Sequence, residues 1–222
     1  MNCRIASIQV GLPQTHGHPG AIDPMQKSWF SGIFKNPVDG PVEVGPVNLA
    51  GDGQADLTVH GGPDKAILGY AAAHYPTWQK ELGLEDFPAG AFGENLTIEG
   101  ATEGEVCVGD IWSIGETVQV QVSQPRSPCH KLGRKWKMPE LPKRVLATGR
   151  SGWYFRVLQT GVIEAGCAMT LQERLNPEWT IERVNRVRYG KEASDNEIAA
   201  LADLPELAAS WREAFQAKRV RV

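Results

Sequence analysis

The chain has no long apolar run and little net charge. Its longest apolar stretches are far shorter than the roughly 20 residues that a membrane-spanning helix needs, and residues 1–8 contain no apolar targeting segment. Its 23 basic and 26 acidic residues give a formal charge of −3, which favours neither nucleic acid nor an anionic membrane as a partner. We therefore expect a cytoplasmic protein without a stable nucleic-acid or membrane partner, in which any anion site is local.

Several motifs that define large enzyme classes are also absent. There is no GxSxG nucleophile elbow, no P-loop GxxxxGK[ST] and no GxGxxG dinucleotide fingerprint. The four cysteines include no CxxC pair, and their spacing is not that of a zinc site, an iron–sulfur cluster or a disulfide framework. These absences disfavour serine hydrolases, P-loop nucleotide hydrolases, and enzymes that carry their own flavin or nicotinamide.

Up to about residue 171, the chain is rich in glycine and proline and contains short β-type runs. These runs are residues 5–10, 66–70, 95–98, 111–114 and 118–122, the last of which alternates strictly between valine and glutamine. One helix is predicted over residues 74–82, where Tyr75, Trp78 and Leu82 share a face and a glycine follows as a stop signal. This part is therefore predicted to be a β-barrel or sandwich with a helix packed on its outside.

Beyond residue 175 the composition becomes charged and helix-periodic, which predicts three short helices. Thr180 is suited to cap the first of them. Ser194 and Glu197 have the spacing of a capping box for the second, and Pro205 lies where the third would begin. Helices this short are unstable alone, so we expect them to pack on one another or on the barrel.

One cysteine in the middle of the chain lies between prolines and cationic side chains, in the segment SQPRSPCHKL. A thiol is a nucleophile or a metal ligand only as the thiolate, which nearby Arg126 and Lys131 would favour. The residues alone leave three options for Cys129: a buried structural thiol, an activated nucleophile, or a soft metal ligand. On an extended strand His130 is a poor base for its own neighbour, because adjacent side chains point to opposite faces. His60, from another loop, is the alternative base.

Three further segments have the glycine density expected where backbone approaches a ligand. They are GDGQAD at residues 51–56, HGGPDKA at residues 60–66 and GAFGENL at residues 90–96. Glycine permits positive φ and leaves amide groups open to an anion. An equally supported interpretation is that these segments are barrel turns that need unusual dihedral angles.

These segments together closely resemble the MOSC domain of the YiiM family, whose members bind the molybdenum cofactor and confer resistance to 6-N-hydroxylaminopurine. The resemblance covers almost the whole chain and rests on four separated motifs in the family's order: GDGQADLTVHGGPDK, GENL, SQPRSPCHKL and GWYFRVLQTG. It implies a mainly β fold, in which residues 1–175 form a MOSC β-barrel with peripheral helices and residues 176–222 form a small three-helix subdomain.

The resemblance also implies a cofactor and an activity. Such domains bind a molybdenum ion held by the dithiolene of a phosphorylated pterin, and the cysteine matching Cys129 supplies a thiolate to the metal. Related proteins reduce N-hydroxylated substrates such as 6-N-hydroxylaminopurine to the amine, with electrons that would here come from a separate reductase. The alternatives are a carrier of the cofactor or of sulfur without turnover, and a transferase or hydrolase with Cys129 as its nucleophile.

The remaining site residues are assigned by their chemistry within this resemblance. Arg126, Lys131 and Lys65 are expected to pair with the pterin phosphate. His60 is expected to donate to an oxo ligand or to move a proton, with a structural role as the alternative. The residues expected to bind the pterin through an amide side chain or the backbone are Asn95, Gly61, Gly62 and Gly93. The physiological substrate, the electron donor, the proton donor and the oligomeric state, including a homodimer, stay open.

Overall fold

The structure is a computed structural model that describes residues 3–190 and 192–219. Within these residues the strands are β1 (Cys3–Val10), β2 (Gln14–His16), β3 (Trp29–Ser31), β4 (Asn36–Pro37), β5 (Val42–Val44), β6 (Ile67–Ala71), β7 (Leu96–Glu99), β8 (Ile111–Ile114), β9 (Val118–Pro125), β10 (Trp153–Gln159), β11 (Gly161–Ile163) and β12 (Ala168–Glu173). The helices are α1 (Tyr75–Leu82), α2 (His130–Trp136), α3 (Leu141–Thr148), α4 (Ile181–Tyr189), α5 (Asp195–Ala202) and α6 (Ala209–Arg219), with 3-10 turns at Pro63–Lys65 and Ala72–His74. No helix among the described residues is both long and apolar enough to cross a bilayer.

Seven of the strands close into a mixed barrel. Their hydrogen-bonded order is β12-β8-β9-β10-β6-β7-β1, and β1 pairs again with β12 where Cys3 lies opposite Met169. Strands β6 and β7 run parallel, whereas the other neighbours around the barrel are antiparallel. Closure pairs both edges of the sheet. The predicted β-barrel is confirmed, and each of the five predicted runs overlaps one of its strands.

Strand alternation separates the interior of the barrel from its outer face. In β10, Trp153 and Phe155 are 1% exposed and belong to the barrel core, so Tyr154 and Arg156 point the other way. Strand β9 continues three residues beyond its predicted end, because Gln124 and Pro125 pair with β10. The polar residues in this extension are buried. Ser123, for example, donates from Oγ to two backbone carbonyls, at 2.6 and 3.1 Å.

A second apolar cluster covers the outside of the barrel. It joins Tyr70 on β6 to Trp78 on α1, Phe92 in a glycine-rich loop and Leu132 on α2, and the first and third of these rings stack at 4.2 Å between centroids. Helix α1 is the predicted one, and it ends at Gly83 in a left-handed conformation with φ of 66°. Its predicted packing on the outside of the barrel is confirmed.

The prediction of extended structure through residues 129 and 130 is wrong after Cys129. His130 is the first residue of α2, and it is exposed. The segment has a glycine at position 133, and its apolar residues form no stripe long enough to predict a helix. It is helical because Leu132 is fully buried in the outer cluster, and tertiary packing of this kind overrides weak local propensity.

The three carboxy-terminal helices pack on the barrel as predicted. The Thr180 hydroxyl caps α4 by accepting from the Arg183 amide at 3.1 Å, and Ser194 and Glu197 form the predicted capping box of α5. Apolar residues of α4, α5 and α6 belong to the same buried cluster as the barrel core. The boundary between residues 1–175 and 176–222 stays a prediction, and residues 220–222 lie outside the described part of the chain.

The predicted start of the third helix, near Pro205, is wrong by four residues. Helix α6 begins at Ala209, and the preceding segment forms turns in which Leu204 and Leu207 are buried. The Ala208 amide donates to the Ser123 carbonyl of β9 at 2.9 Å. The backbone there is bonded to the barrel, so the helix starts after it.

We expect Gly152→Ala to lower the free energy of unfolding much more than Gly149→Ala. Both glycines have positive φ, which costs an alanine about 1–2 kcal/mol. Only at position 152 would the new Cβ also collide with the Gly69 carbonyl oxygen, which adds about 1–3 kcal/mol for overpacking. Chemical denaturation of both variants measures the difference. Equal losses would show that the contact with β6 is not tight.

Candidate functional site

The predicted site residues converge on a cleft at the outer face of the barrel. The cleft is open to solvent and is lined by residues of β6 and β10 and by residues that connect β9 to α2. Seven of the nine predicted residues line it: His60, Lys65, Gly93, Asn95, Arg126, Cys129 and Lys131. Gly61 and Gly62 do not form part of its wall. Gly61 packs on Leu57, and Gly62 has φ of 95° where the chain enters the 3-10 turn.

Cys129 immediately precedes α2, and its backbone is extended, with φ of −105° and ψ of 165°. Burial raises the pKa of its thiol. The hydrogen bond from His60, the positive charges of Arg126 and His60, and the backbone amide of Lys131 oppose that effect, and the resulting pKa is about 7. A large fraction of this cysteine is therefore thiolate at neutral pH, which is the form that attacks electrophiles and binds metals.

Arg126 presents a buried and unpaired donor to the cleft. The residue is 4% exposed, and its Nη2 donates to the Phe92 carbonyl at 3.0 Å. Its Nη1 is also buried and has no hydrogen-bond partner among the described residues. An unsatisfied buried donor is costly. A guanidinium in this state fits an anionic ligand group, because arginine pairs well with phosphate or carboxylate oxygens.

Two lysines add positive charge to the same wall. Lys131 is half-buried on the first turn of α2. Lys65 donates from Nζ to the Val59 carbonyl at 2.6 Å. Burial lowers the pKa of Lys65, and the charge of Asp64 partly opposes that shift. With Arg126, these residues make the wall cationic in a chain whose formal charge is −3.

Asn95 joins three segments beneath the cleft. Its Oδ1 accepts from the Leu68 amide at 3.0 Å. Its Nδ2 donates to the Gln9 carbonyl at 3.3 Å and to Asp52 Oδ2 at 2.9 Å. The residue is 3% exposed, and both ends of its amide have protein partners. These contacts describe a residue that positions the floor of the cleft, and the expected contact with a pterin stays a prediction.

Lys35 and Asp52 form a buried ion pair on the floor of the cleft that sequence reasoning missed. Their side chains are 6% and 0% exposed, and Asp52 also accepts from the Gly11 amide at 3.0 Å. Burial lowers the pKa of Lys35, and the charge of Asp52 opposes that shift. Asp52 lies within a glycine motif that the sequence does mark. Its partner, 17 residues earlier, has no sequence signal.

Tyr154 also lines the cleft and was not predicted. It lies on β10 between two aromatic residues that fill the barrel, so its phenol ring faces outward into the cleft. Burial raises the pKa of Tyr154. The charge of Arg126 opposes that shift, and the charges of Cys129 and Asp52 reinforce it. The alternation within the motif WYFR is the signal that could have identified this residue.

The loop that carries Gly93 is held by a buried carboxylate. Glu94 is 0% exposed and accepts from the Gly90 amide at 2.7 Å and the Phe92 amide at 3.1 Å. Gly93 has φ of 79°, and a Cβ there would lie 2.8 Å from Cγ1 of Ile33. The glycine at this position therefore serves a turn with an unusual dihedral angle, and the same turn forms part of the cleft wall.

The described protein groups do not build a metal centre by themselves. No set of three or more His, Cys, Asp or Glu residues within 3–190 and 192–219 is arranged to hold a metal ion. His60 and Cys129 lie together in the cleft, whereas His130 is exposed to solvent. A metal bound here through the thiolate would therefore need further ligands from a second molecule.

Family models match most of the chain. The model of the MOSC domain matches residues 56–170, and that of the YiiM-like, 3-alpha helix domain matches residues 179–219. The chain belongs to the YiiM family of MOSC-domain proteins. This confirms the resemblance found in the sequence. All nine predicted site residues, from His60 to Lys131, lie within the MOSC match.

Members of the YiiM family and related MOSC proteins align with the chain over different lengths. YflK of Bacillus subtilis is 40% identical over 218 residues, which are 98% of this chain and 95% of the relative. A protein of Gibberella moniliformis named "Reductase" is 40% identical over 177 residues, 79% of this chain but 31% of that protein. The crystal structure of YiiM from Geobacillus stearothermophilus is 40% identical, covers 98% of this chain and 99% of its own, and superimposes with a TM-score of 0.80.

We expect alkylation of Cys129 by iodoacetamide to increase with pH and to reach half of its maximal rate near pH 7. The thiolate reacts and the thiol does not, and the pKa of this thiol is about 7. His60→Ala should move the midpoint to higher pH, because the ring stabilises the thiolate. Peptide mass spectrometry locates and quantifies the adduct in a Cys167→Ser background.

Cys107 is the internal control for this titration. It is 1% exposed, and burial raises its pKa to about 11, so it should stay unmodified across the range. An unchanged midpoint in His60→Ala would contradict the interaction between the two cleft residues.

We expect Asp52→Asn to reduce the free energy of unfolding by about 3–5 kcal/mol, because it leaves the buried Lys35 ammonium without its counter-charge. The double variant Lys35→Met with Asp52→Asn should lose less than the single variant. Urea denaturation of both proteins and of Lys35→Met completes the cycle. A double variant less stable than Asp52→Asn would contradict the uncompensated-charge explanation.

Proposed function

We propose that this protein binds the molybdenum cofactor in its cleft and reduces N-hydroxylated substrates, such as 6-N-hydroxylaminopurine, to the corresponding amines. The observation that carries the proposal is the pairing, in one cleft, of a cysteine with a pKa of about 7 and a buried guanidinium nitrogen without a partner. The first is a soft ligand for molybdenum and the second a donor for phosphate.

The residues of the cleft suit this cofactor because they offer one thiolate for the metal and several cationic side chains for the phosphate. A single protein thiolate suffices for a metal whose other ligands include the two sulfurs of a dithiolene, and no larger set of protein ligands is present among the described residues. Arg126, Lys131 and Lys65 would hold the phosphate of the pterin. The His60 ring, next to Cys129, would keep the thiol deprotonated for metal binding.

The reaction needs two electrons and two protons for each substrate molecule. The N–O bond breaks, the nitrogen becomes an amine, and the oxygen leaves as water. The bound cofactor would supply the redox chemistry, and a separate reductase would supply the electrons, since the sequence has no flavin, nicotinamide or iron–sulfur motif. The protein itself would orient the substrate and provide donors at the leaving oxygen.

The name of one relative agrees with this class of activity. The Gibberella moniliformis protein named "Reductase" contains a region similar to most of this chain, and that region makes up 31% of its length. The rest of that protein lies outside the alignment with this chain. We extend the reductase activity given in that name to the shared region, and therefore to this chain.

A second candidate function is a Cys-dependent transferase or hydrolase. The hydrogen bond between His60 and Cys129 and the thiol pKa of about 7 favour it, because a thiolate next to an imidazole is also the arrangement of a cysteine nucleophile. This function would operate without cofactor. Covalent capture of substrate by cofactor-free protein, with loss of capture in Cys129→Ala, would support it over the reductase.

The main test uses protein produced with cofactor biosynthesis and added molybdate. We expect molybdenum by elemental analysis, pterin by fluorescence after oxidation, and conversion of 6-N-hydroxylaminopurine to the amine with a reduced dye. Cys129→Ala should abolish amine formation while the thermal unfolding temperature stays near that of the wild type. Arg126→Ala should lower pterin content more than it changes KM, because its proposed partner is the phosphate.

Two variants outside the cleft serve as controls for this experiment. Cys167→Ala removes another half-buried thiol outside the cleft, and Arg4→Ala removes an exposed arginine paired with Glu99; both should keep wild-type cofactor content and turnover. Wild-type turnover in Cys129→Ala would exclude the thiolate role. Bound cofactor without amine product in the wild type would favour the carrier function instead.

A further inference from the structure

We propose that the Tyr154 hydroxyl is the donor that protonates the oxygen leaving the substrate. The inference rests on the proposed reductase function and assigns the proton donor within that same cleft. Strand β10 delivers the phenol to this position: its neighbours along the strand fill the barrel, and the cross-strand partner of Tyr154 on β6, Leu68, also lines the cleft. Directly paired residues of an antiparallel ladder project to the same face.

The surroundings of Tyr154 place it among the reacting groups. The charges of Arg126, Cys129 and Asp52 all act on its phenol, and all three residues line the same cleft. Tyr154 therefore lies near the thiolate that would bind the metal and near the guanidinium that would bind phosphate. Its strand is also firmly placed, because its carbonyl oxygen accepts from Ser123 Oγ at 3.1 Å.

Three other polar groups of the cleft already have partners. The His60 ring interacts with the Cys129 thiol, and Lys65 Nζ is bonded to a backbone carbonyl. Lys35 is paired with a buried carboxylate. Arginine does not release a proton in proteins. The Tyr154 phenol is influenced by burial and by the charges of Arg126, Cys129 and Asp52.

The phenol of Tyr154 carries a proton at neutral pH, as a donor must. Burial raises its pKa above the ordinary value, so the hydroxyl keeps its proton throughout the neutral range and is ready to donate when substrate binds. As the N–O bond breaks, the phenol proton goes to the departing oxygen, and a second proton from solvent completes the water molecule. The bound cofactor would supply the two electrons, which a separate reductase would provide. The phenolate, a strong base, is then reprotonated from solvent at the mouth of the cleft.

Tyr154→Phe tests this role in cofactor-containing protein, because it removes only the hydroxyl. We expect kcat for reduction of 6-N-hydroxylaminopurine to fall by about 10²-fold or more, the usual contribution of a general acid. Molybdenum content, pterin content and KM should change little. Replacement of Tyr154 by a fluorinated tyrosine should restore turnover and shift the alkaline limb of the pH–kcat profile to lower pH, since fluorination lowers the pKa of a phenol.

A second measurement needs no turnover. In cofactor-free protein, alkaline ultraviolet difference titration should show a phenol that ionises above the ordinary range and is missing from Tyr154→Phe. Cys129→Ser should lower the pKa of that phenol, because it removes a negative charge that raises it, and Arg126→Ala should raise it, because it removes a charge that lowers it. Tyr70 also has a raised pKa, which the charge of Arg126 lowers, so the response to Cys129→Ser, compared with the titration of Tyr154→Phe, is the one that identifies Tyr154.

The outcomes separate the two proposals. Amine formation by the wild type with near-wild-type kcat and an unchanged pH profile in Tyr154→Phe would overturn the role of Tyr154 and leave the reductase function standing. A phenol titration that does not respond to Cys129→Ser or Arg126→Ala would overturn its placement beside them. Absence of amine product from cofactor-containing wild type would overturn the reductase function, and the role of Tyr154 with it.

Discussion

The side-chain amide of Asn95 is the contact on which the arrangement of the cleft depends. It bonds the Leu68 amide on β6, the Gln9 carbonyl on β1 and the Asp52 carboxylate from a glycine-rich loop. Asp52 in turn holds Lys35 in a buried ion pair. One amide thus connects two strands of the barrel to the loop that covers them, and it gives the floor of the cleft a defined geometry in which buried polar groups are satisfied.

The chemistry of the cleft follows from placing cations around one thiol in a largely buried space. Burial by itself would raise the pKa of Cys129, as it does for Cys107, whose pKa is about 11. His60 and Arg126 oppose that effect at Cys129 and bring its pKa to about 7. Arg126 and Cys129 also act on the phenol of Tyr154, which lines the same cleft. The charge of Arg126 therefore lowers the pKa of both the thiol and the phenol, and the charge of the thiolate raises the pKa of the phenol.

Sequence reasoning succeeded where the signal is local. The strict alternation at residues 118–122 identified part of β9, and the spacing of Ser194 and Glu197 identified the capping box of α5. It failed where tertiary contacts decide local structure. Helix α2 has weak helical signals of its own and is stabilised by burial of Leu132. Helix α6 starts late because the Ala208 amide is bonded to β9.

Local patterns were enough to identify the family, the β-type runs, the caps of the carboxy-terminal helices and the motif around Cys129, because each depends on residues close together in the chain. Closure of the barrel and the set of groups that share the cleft depend on residues far apart in the chain. The pairing of Lys35 with Asp52, the use of the Asn95 amide within the protein and the position of Tyr154 all arise when distant segments meet. Burial and electrostatic coupling depend on distances in space, which spacing along the chain does not contain.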